Sequence, residues 1–425
     1  MNPVANAIGL EVVELARAGR FTEICDLFAP PLRSMVTPEA LEAAWRSELE
    51  RLGPVTAVGE PACEASGAGI VVVRVPVTCE RGQVTVIVSA TEAGALAGIQ
   101  LAPATAAEPT APWQPPPYAD QGAFGEEDVV LGTGPLAVHG TLSLPHTPGM
   151  HPAVVLLAGS GVLDRDETIG RNKPFKDLAW GLASHGVAVL RFDKVTFAHR
   201  DDVRSRAGFT VADEYMPHAR SAIELLGRHS SVDPKRIYVL GHSLGGTVAP
   251  RVAADNPSVA GIILFAGGAE PLHWSALRQM RYLASLNPAT VAASEPIFEV
   301  LTRQATMVDS PDLGESTPSD QLPFGIPAAY WLDLRSYQPV AAAASLDSRV
   351  LVLQGGRDYQ VTVDGDLERW TTGLAGHRDV TVRVYPDDNH MFFSGSGPSN
   401  PAEYEPVQHV DPTVIADVAR WITAG

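Results

Sequence analysis

Cysteine is scarce in this chain of 425 residues, which has only Cys25, Cys63 and Cys79. Three scattered cysteines are too few for a disulfide framework or a zinc site. No apolar run reaches the roughly 18 residues that a membrane-spanning helix needs, and the N-terminus lacks the basic and apolar regions of a signal peptide. We therefore expect a reduced, cytoplasmic protein with no metal.

Positively charged residues are also few. The chain has 31 lysines and arginines but 49 acidic residues, so its net charge is −18. A surface this acidic repels phosphate groups, so the composition argues against nucleic-acid binding and against docking on anionic lipid. Hydrophobic residues make up 45% and charged residues 19% of the chain, which is typical of a globular protein. At about 100–200 residues per domain, the length predicts two or three folding units.

The first folding unit is predicted to be a small α+β domain over residues 1–104. Thr37 and Pro38 have the pattern of a helix start, and Gly53 follows as a stop. The β-branched runs IVVVRVPVTC and QVTVIVSA, separated by ERG, predict a hairpin. Residues 105–118 are rich in proline and alanine without periodicity, which predicts a linker and the domain boundary.

Strands alternate with helices over residues 119–425. The strand segments are nearly all apolar, as in a parallel sheet that is covered on both faces, with an antiparallel opening. We count eight strands and predict an α/β fold, doubly wound, with a mostly parallel sheet. The long stretch at 268–346 interrupts the alternation, and an insertion of this length predicts a helical lid over the site.

The strongest chemical motif is Gly241-x-Ser243-x-Gly245, which follows one predicted strand and opens a helix. This is the context of a nucleophile elbow, where glycines allow a strained turn to expose the serine. A serine needs a base that is oriented by an acid, and this arrangement places both after later strands. Asp358 follows the penultimate strand and His390 follows the last one, so we predict a Ser243–His390–Asp358 triad.

Other residues remain as rivals for these roles. Asp387 and Asp388 could replace Asp358 as the acid, although they lie very close to His390 along the chain. His409 could replace His390 as the base, with a hydrogen-bonding or packing role as its alternative.

The oxyanion of a tetrahedral intermediate needs two backbone N–H donors. We predict Leu244, directly after the nucleophile, and Ser160, in the glycine-bearing loop after an early strand. Gly161 of the same loop and four other residues are candidates for the substrate pocket, with core packing as the alternative for these four: His242, Trp274, Tyr330 and Trp331.

Two charged segments have a structural and a functional interpretation. The acidic cluster at 164–167 could bind a metal, but Arg165 in its middle favours a salt-bridged brace. Asp193 and Lys194 follow a strand end, where they could border the pocket or form an ion pair.

Residues 120–425 resemble bacterial α/β-hydrolases of the dienelactone-hydrolase-like and prolyl-oligopeptidase-like esterase group. The resemblance rests on AGSGVLDRDET, VLRFDKVTFAH, GHSLGGTVAPRVA, LQGGRDYQVT and DDNHMFF. It departs from the group at Ala158, where many members have histidine, and at Val195 and Thr196, where many continue with arginine. The first 105 residues look like the small domain of unknown function found before such hydrolases, similar to cystatin-like or nuclear-transport-factor-like cones.

The resemblance implies the α/β-hydrolase fold and the triad roles already inferred for Ser243, Asp358 and His390. We expect a serine hydrolase that cleaves a small-molecule ester or thioester through an acyl-enzyme, without a cofactor. The same triad could serve acyl transfer, cyclisation, or C–C or peptide cleavage, and a non-enzymatic ligand-binding protein is the alternative class. A homodimer through the N-terminal domain is a further expectation.

Overall fold

The computed structural model of the chain describes residues 3–29, 33, 36–65, 70–91, 94–103, 113–206 and 208–424. Of the predicted linker, residues 105–112 lie outside this description. The chain divides into two compact units: Met1–Ala111 with Leu277–Met307 and Asp320–Gly325, and Pro112–Ala276 with Val308–Ser319 and Ile326–Gly425. The division inferred from the sequence differs, because it left the whole 268–346 insertion with the C-terminal part.

The described part of the N-terminal segment contains the helices α1 (Pro3–Arg17), α2 (Phe21–Asp26) and α3 (Pro38–Leu52). The predicted start of α3 is confirmed, since the Thr37 side chain caps the helix by accepting from the Ala40 N–H at 3.2 Å. Gly53 ends the helix with φ 81°, a left-handed conformation that favours glycine.

Five antiparallel strands follow these helices. They are β1 (Val55–Val58), β2 (Ala62–Ala65), β3 (Ile70–Cys79), β4 (Gly82–Thr91) and β5 (Leu96–Pro103). The sheet has the order β1-β3-β4-β5, with β2 also paired to β3. The predicted hairpin is confirmed as β3 and β4, which pair from Ile70↔Thr91 to Cys79↔Gly82.

The second sheet has eight strands in the order β13-β12-β11-β10-β8-β9-β7-β6. Neighbours from β13 to β9 are parallel, whereas β7 pairs antiparallel with β9 and β6. The predicted eight-stranded, mostly parallel sheet with an antiparallel opening is therefore confirmed. Its strands are β6 (Phe124–Leu131), β7 (Val138–Pro145), β8 (His151–Leu157), β9 (Ala188–Phe192), β10 (Val232–His242), β11 (Val259–Phe265), β12 (Arg349–Gly355) and β13 (Val380–Tyr385).

Helices connect these strands. In chain order they are α4 (Pro174–Ser184), α5 (Val195–Ala198), α6 (Arg200–Arg204), α7 (Val211–Arg228), α8 (Leu244–Asp255), α9 (Leu272–Ser285), α10 (Pro288–Asp309), α11 (Ala328–Ser336), α12 (Pro339–Ala344), α13 (Glu368–Gly373) and α14 (Pro412–Thr423). α9 to α12 lie within the stretch at 268–346 that was predicted to be a helical insertion.

The core of this sheet has two layers, because alternate side chains of a strand point to opposite faces. Val155 and Leu157 of β8 pack with α7 and α8 in one cluster, whereas Val154 and Leu156 pack with α4 and α14 in the other. The carboxyl ends of the parallel strands meet at one edge of the sheet, where Asp358 and His390 also lie in the following loops. Among the described residues, no helix is long and apolar enough to cross a bilayer.

Candidate active site

Ser243 lies in the sharp turn between β10 and α8, with φ 52° and ψ −118°. A positive φ is uncommon for a residue with a side chain and holds the backbone under strain. The Ser243 N–H donates to the Phe265 carbonyl at 3.0 Å, which ties the turn to the end of β11. The serine is thereby held, partly exposed, at the carboxyl end of a central strand.

The two glycines of the motif allow this turn to form. A Cβ atom on Gly241 would lie 2.1 Å from the Gly245 carbonyl oxygen, and one on Gly245 would lie 2.1 Å from the Leu157 carbonyl oxygen. Neither site has room for a side chain, because the clashing atoms belong to the backbone. The motif therefore brings the start of α8 directly against the end of β8.

His390 and Asp358 form a buried pair at the same edge of the sheet. The His390 Nδ1 donates to Asp358 Oδ2 at 2.7 Å, and the two residues are only 2% and 6% exposed. Because a carboxylate only accepts, the proton of a neutral imidazole lies on Nδ1 and leaves Nε2 as the acceptor. This is the tautomer that a general base needs.

Asp358 is itself held by other donors. Its Oδ1 accepts from the N–H groups of Gln360 at 2.7 Å and Val361 at 3.0 Å, and Oδ2 also accepts from Gln354 Nε2 at 3.2 Å. On the histidine side, Asn389 Oδ1 accepts from the Met391 N–H at 3.0 Å. Both loops are therefore braced, and the orientation of the imidazole is determined by the fold.

The rival residues bond to other partners. Asp387 is exposed, and the Asp388 carboxylate accepts from the Ser394 hydroxyl at 2.7 Å. The His409 Nδ1 bonds to both carboxylate oxygens of Asp177 at 3.1 Å. The structure therefore pairs Asp358, and none of these rivals, with His390.

The glycine-bearing loop after β8 lies against the nucleophile. A Cβ atom on Gly159 would be 3.2 Å from the Ser243 Cβ, so the backbone at Gly159 approaches the serine closely. Gly161 has φ +98° with open space around it, and Ser160 is exposed. Leu244 is the first residue of α8, so its N–H has no acceptor within the helix. Both predicted oxyanion donors thus belong to segments next to Ser243.

His242 does not line an open pocket, because it is only 2% exposed. Its Nδ1 lies 2.9 Å from Glu167 Oε1, and its Nε2 lies 3.1 Å from the His390 carbonyl oxygen. The same Glu167 oxygen accepts from the Gly159 N–H at 2.7 Å. The sequence placed Glu167 only in the acidic cluster at 164–167 and gave no sign of its contact with His242, which lies 75 residues away along the chain.

The pKa of His242 reflects this environment. Burial lowers the pKa of the imidazole, but the Glu167 carboxylate outweighs this effect, so the pKa is raised above its usual value. Geometry agrees, because both ring nitrogens face acceptors and only the imidazolium has two N–H groups.

The acidic cluster at 164–167 forms the salt-bridged brace that Arg165 had indicated. Arg165 pairs with Asp193 at 2.8 Å, and Asp166 accepts from Lys173 at 2.8 Å and from Arg191 at 2.9 Å. Asp193 therefore pairs with the brace and not with its chain neighbour Lys194.

The predicted pocket aromatics have structural partners. The Trp274 Nε1 donates to Asp309 at 2.7 Å, and the Tyr330 hydroxyl donates to Glu214 at 2.6 Å. Trp331 is 0% exposed, so it belongs to the core and does not line an open pocket.

Comparison with known proteins assigns the family. Residues 167–396 match the family described as serine aminopeptidase, S33. Over 344 residues the chain is 38% identical to Esterase EstD of Thermotoga maritima, a match that covers 81% of this chain and 77% of that protein. The chain belongs to this family of α/β-hydrolases. The resemblance inferred from the motifs is confirmed, and the protein is a carboxylesterase-like serine hydrolase.

Other similarities are more distant. A monoacylglycerol lipase of Mycolicibacterium smegmatis is 25% identical over 285 residues, which cover 65% of this hydrolase and 91% of the lipase. Among solved structures, an esterase from the archaeon Pyrobaculum calidifontis is 19% identical with a TM-score of 0.43, covering 71% of this chain and 85% of that one. Est1E from Butyrivibrio proteoclasticus is 13% identical with a TM-score of 0.44, covering 70% and 99%.

Proposed function

We propose that this protein hydrolyses carboxylic esters through an acyl-enzyme on Ser243, with His390 as general base and Asp358 as the residue that orients it. The observation that carries the proposal is the buried His390–Asp358 pair at 2.7 Å, at the same sheet edge as the strained Ser243 turn. The similarity to Esterase EstD supports esters as the substrate class. The three cysteines are free, which suits the cytoplasm as the location we propose.

The first half of the reaction acylates the serine. Ser243 Oγ attacks the ester carbonyl carbon while its proton passes to His390 Nε2, and the carbonyl oxygen becomes an oxyanion. The N–H groups of Leu244 and Ser160 stabilise this oxyanion, and the positive end of α8 adds to the effect. The bond to the alcohol then breaks, and His390 returns the proton to the leaving oxygen.

The second half releases the acid. Water gives a proton to His390 and attacks the acyl carbon, and a second oxyanion forms in the same place. The bond to Ser243 breaks, and the serine recovers its proton from His390. No electron transfer occurs, and the sum of both halves is one water consumed per ester cleaved.

Peptide cleavage is a second candidate, because the matching family is described as serine aminopeptidases. The two activities use the same acyl-enzyme, but an amide needs its leaving nitrogen to be protonated before it departs. A direct comparison of substrates therefore separates them.

The test measures turnover of p-nitrophenyl esters with short and long acyl chains, matching thioesters, and aminoacyl p-nitroanilides. We expect ester turnover, covalent labelling of Ser243 by a fluorophosphonate, and loss of both in the Ser243→Ala variant. The His390→Ala variant should be as inactive as a variant that combines Ser243→Ala with His390→Ala, because the two residues act as a unit. Faster turnover of the anilides would make peptide cleavage the function, and an unlabelled, inactive wild-type protein would refute the enzyme proposal.

A further inference from the structure

The carbonyl oxygen of Gly159 accepts a hydrogen bond from a buried lysine, since Lys194 Nζ donates to it at 2.7 Å. Lys194 Nζ also donates to the Tyr215 hydroxyl at 3.0 Å, and this hydroxyl lies between the carbonyl oxygens of Ala158, at 2.9 Å, and Gly159, at 3.0 Å. The Lys194 side chain is only 3% exposed, so water screens the interaction between its positive charge and the Gly159 carbonyl only weakly. A buried ammonium on a backbone carbonyl is a stronger partner than a neutral donor.

The position of this carbonyl gives the lysine a link to the chemistry. The C=O of Gly159 and the N–H of Ser160 belong to the same peptide unit. A cation at the oxygen of an amide draws electron density away from its nitrogen, so the N–H becomes a stronger donor. Ser160 N–H is one of the two groups assigned above to the oxyanion.

We propose that Lys194 is a positioning residue that polarises the Gly159–Ser160 peptide and thereby strengthens the Ser160 N–H as an oxyanion donor. This inference rests on the proposed function. It assigns to the lysine an effect on the transition state, in which charge develops on the substrate oxygen, and little effect on the bound ester.

The surrounding contacts hold the charge in this place. Lys194 Nζ lies 3.0 Å from Glu214 Oε1, which also accepts from the Thr196 hydroxyl at 3.0 Å. The other Glu214 oxygen accepts from the Tyr330 hydroxyl. The cost of burying the lysine is thus offset by a fully partnered carboxylate, which keeps the ammonium directed at Gly159.

The loop is held on its other side as well. The Gly159 N–H donates to Glu167 Oε1 at 2.7 Å, so both polar groups of Gly159 have charged partners. These two bonds restrict rotation of the peptide that follows. The Ser160 N–H is therefore oriented before substrate binds, as electrostatic preorganisation requires.

The test removes the charge without leaving Glu214 unpaired. Lys194→Met alone leaves a buried carboxylate without its cation and could unfold the protein. The double variant Lys194→Met with Glu214→Gln removes both charges, and it keeps the experiment decisive if the single variant fails to fold. The control is Tyr215→Phe, which removes a neutral hydroxyl next to Lys194 and the Gly159 carbonyl but leaves the positive charge in place. Burial and Glu214 raise the pKa of Tyr215, so its hydroxyl retains its proton.

We expect kcat of the double variant on a p-nitrophenyl ester to fall about 10-fold with KM unchanged, because removing a whole oxyanion donor costs about 100-fold or more. Affinity for a trifluoromethyl ketone, which forms an oxyanion on Ser243, should fall by the same factor. In the acyl-enzyme, the carbonyl stretching frequency should rise toward that of the free ester. Tyr215→Phe should show a smaller change in all three measurements.

A folded double variant with wild-type kcat, ketone affinity and carbonyl frequency would overturn the role of Lys194 and leave the proposed function intact. A double variant whose KM rises while kcat is kept would also overturn it, since that result indicates a role in substrate binding. Failure of the proposed function is a different result, namely a wild-type protein that neither turns over esters nor reacts with a fluorophosphonate.

Discussion

Glu167 and His242, which are 75 residues apart in the chain, meet behind the nucleophile with Oε1 and Nδ1 separated by 2.9 Å. Through Glu167 the pair holds the Gly159 N–H, and through His242 it donates to the His390 carbonyl oxygen. One buried ion pair therefore connects the loop after β8 with the loop that contains the proposed base.

The Glu167→Gln variant should be less stable than wild type, and by an amount that depends on pH. The pKa of His242 is raised in the folded protein, so the pair stabilises fully below the unfolded value of about 6.5 and progressively less as pH rises through the folded value. Urea unfolding of both proteins at about pH 6 and about pH 9 should show the larger difference at the lower pH. An equal difference at both values would mean that His242 does not titrate with this pair.

The choice of Asp358 as the acid can be tested against its rivals. Asp358→Asn should lower kcat about 10⁴-fold, because an amide can donate to Nδ1 and favour the wrong tautomer. Asp387→Asn and His409→Ala are the controls, since neither side chain pairs with His390. Steady-state kinetics with a p-nitrophenyl ester provide the measurement, and a larger loss in Asp387→Asn would reassign the acid.

Ionisation of the Asp388 carboxyl group should lower the stability of the folded protein between acid and neutral pH. Burial raises the pKa of Asp388 to about 6, although the Ser394 hydroxyl partly opposes this. Because the folded pKa lies above the unfolded value of about 3.9, the wild type loses stability as pH rises through this window. Asp388→Asn should thus gain in Tm relative to wild type as pH goes from about 4.5 to about 8. A pH-independent difference between Asp388→Asn and wild type would contradict this account.

Arg191 should be a large contributor to stability. Its side chain is 3% exposed and bonds to Asp166 and Glu126, both at 2.9 Å. Burial alone would raise the pKa of Asp166, but Arg191 and Lys173 outweigh it and hold that pKa below its usual value.

Arg191→Met removes the buried cation that both carboxylates share and leaves Asp166 with Lys173 as its remaining cation, so the free energy of unfolding at neutral pH should fall by about 3–5 kcal/mol. The difference should shrink below about pH 4, where the carboxylates of the unfolded chain are protonated. Denaturant unfolding measures both effects. The exposed pair Arg228–Glu224 provides the matched control, because Arg228→Met should change the free energy of unfolding little. A similarly small change in Arg191→Met would show that the buried network contributes little to stability.

Local patterns in the sequence were sufficient for the fold class and for the position of the candidate triad. Continuous apolar strands predict a covered parallel sheet, and Gly241 and Gly245 predict the turn at Ser243, because the strand and the turn each depend on neighbouring residues. Asp358 and His390 could be predicted from the strands they follow, since the carboxyl ends of parallel strands meet at one edge.

The tertiary structure alone decided which distant side chains meet. Tyr330 and Glu214 are 116 residues apart and Lys194 reaches Gly159 from another strand end. No local pattern indicates such pairs, because each residue type at these positions is compatible with an exposed surface. The same reason applies to the grouping of Leu277–Met307 with the N-terminal unit, which depends on packing between segments far apart in the chain. Local patterns along the chain therefore predict the strands, the nucleophile turn and the order of the candidate triad, whereas the packing of those elements decides which charges surround the site.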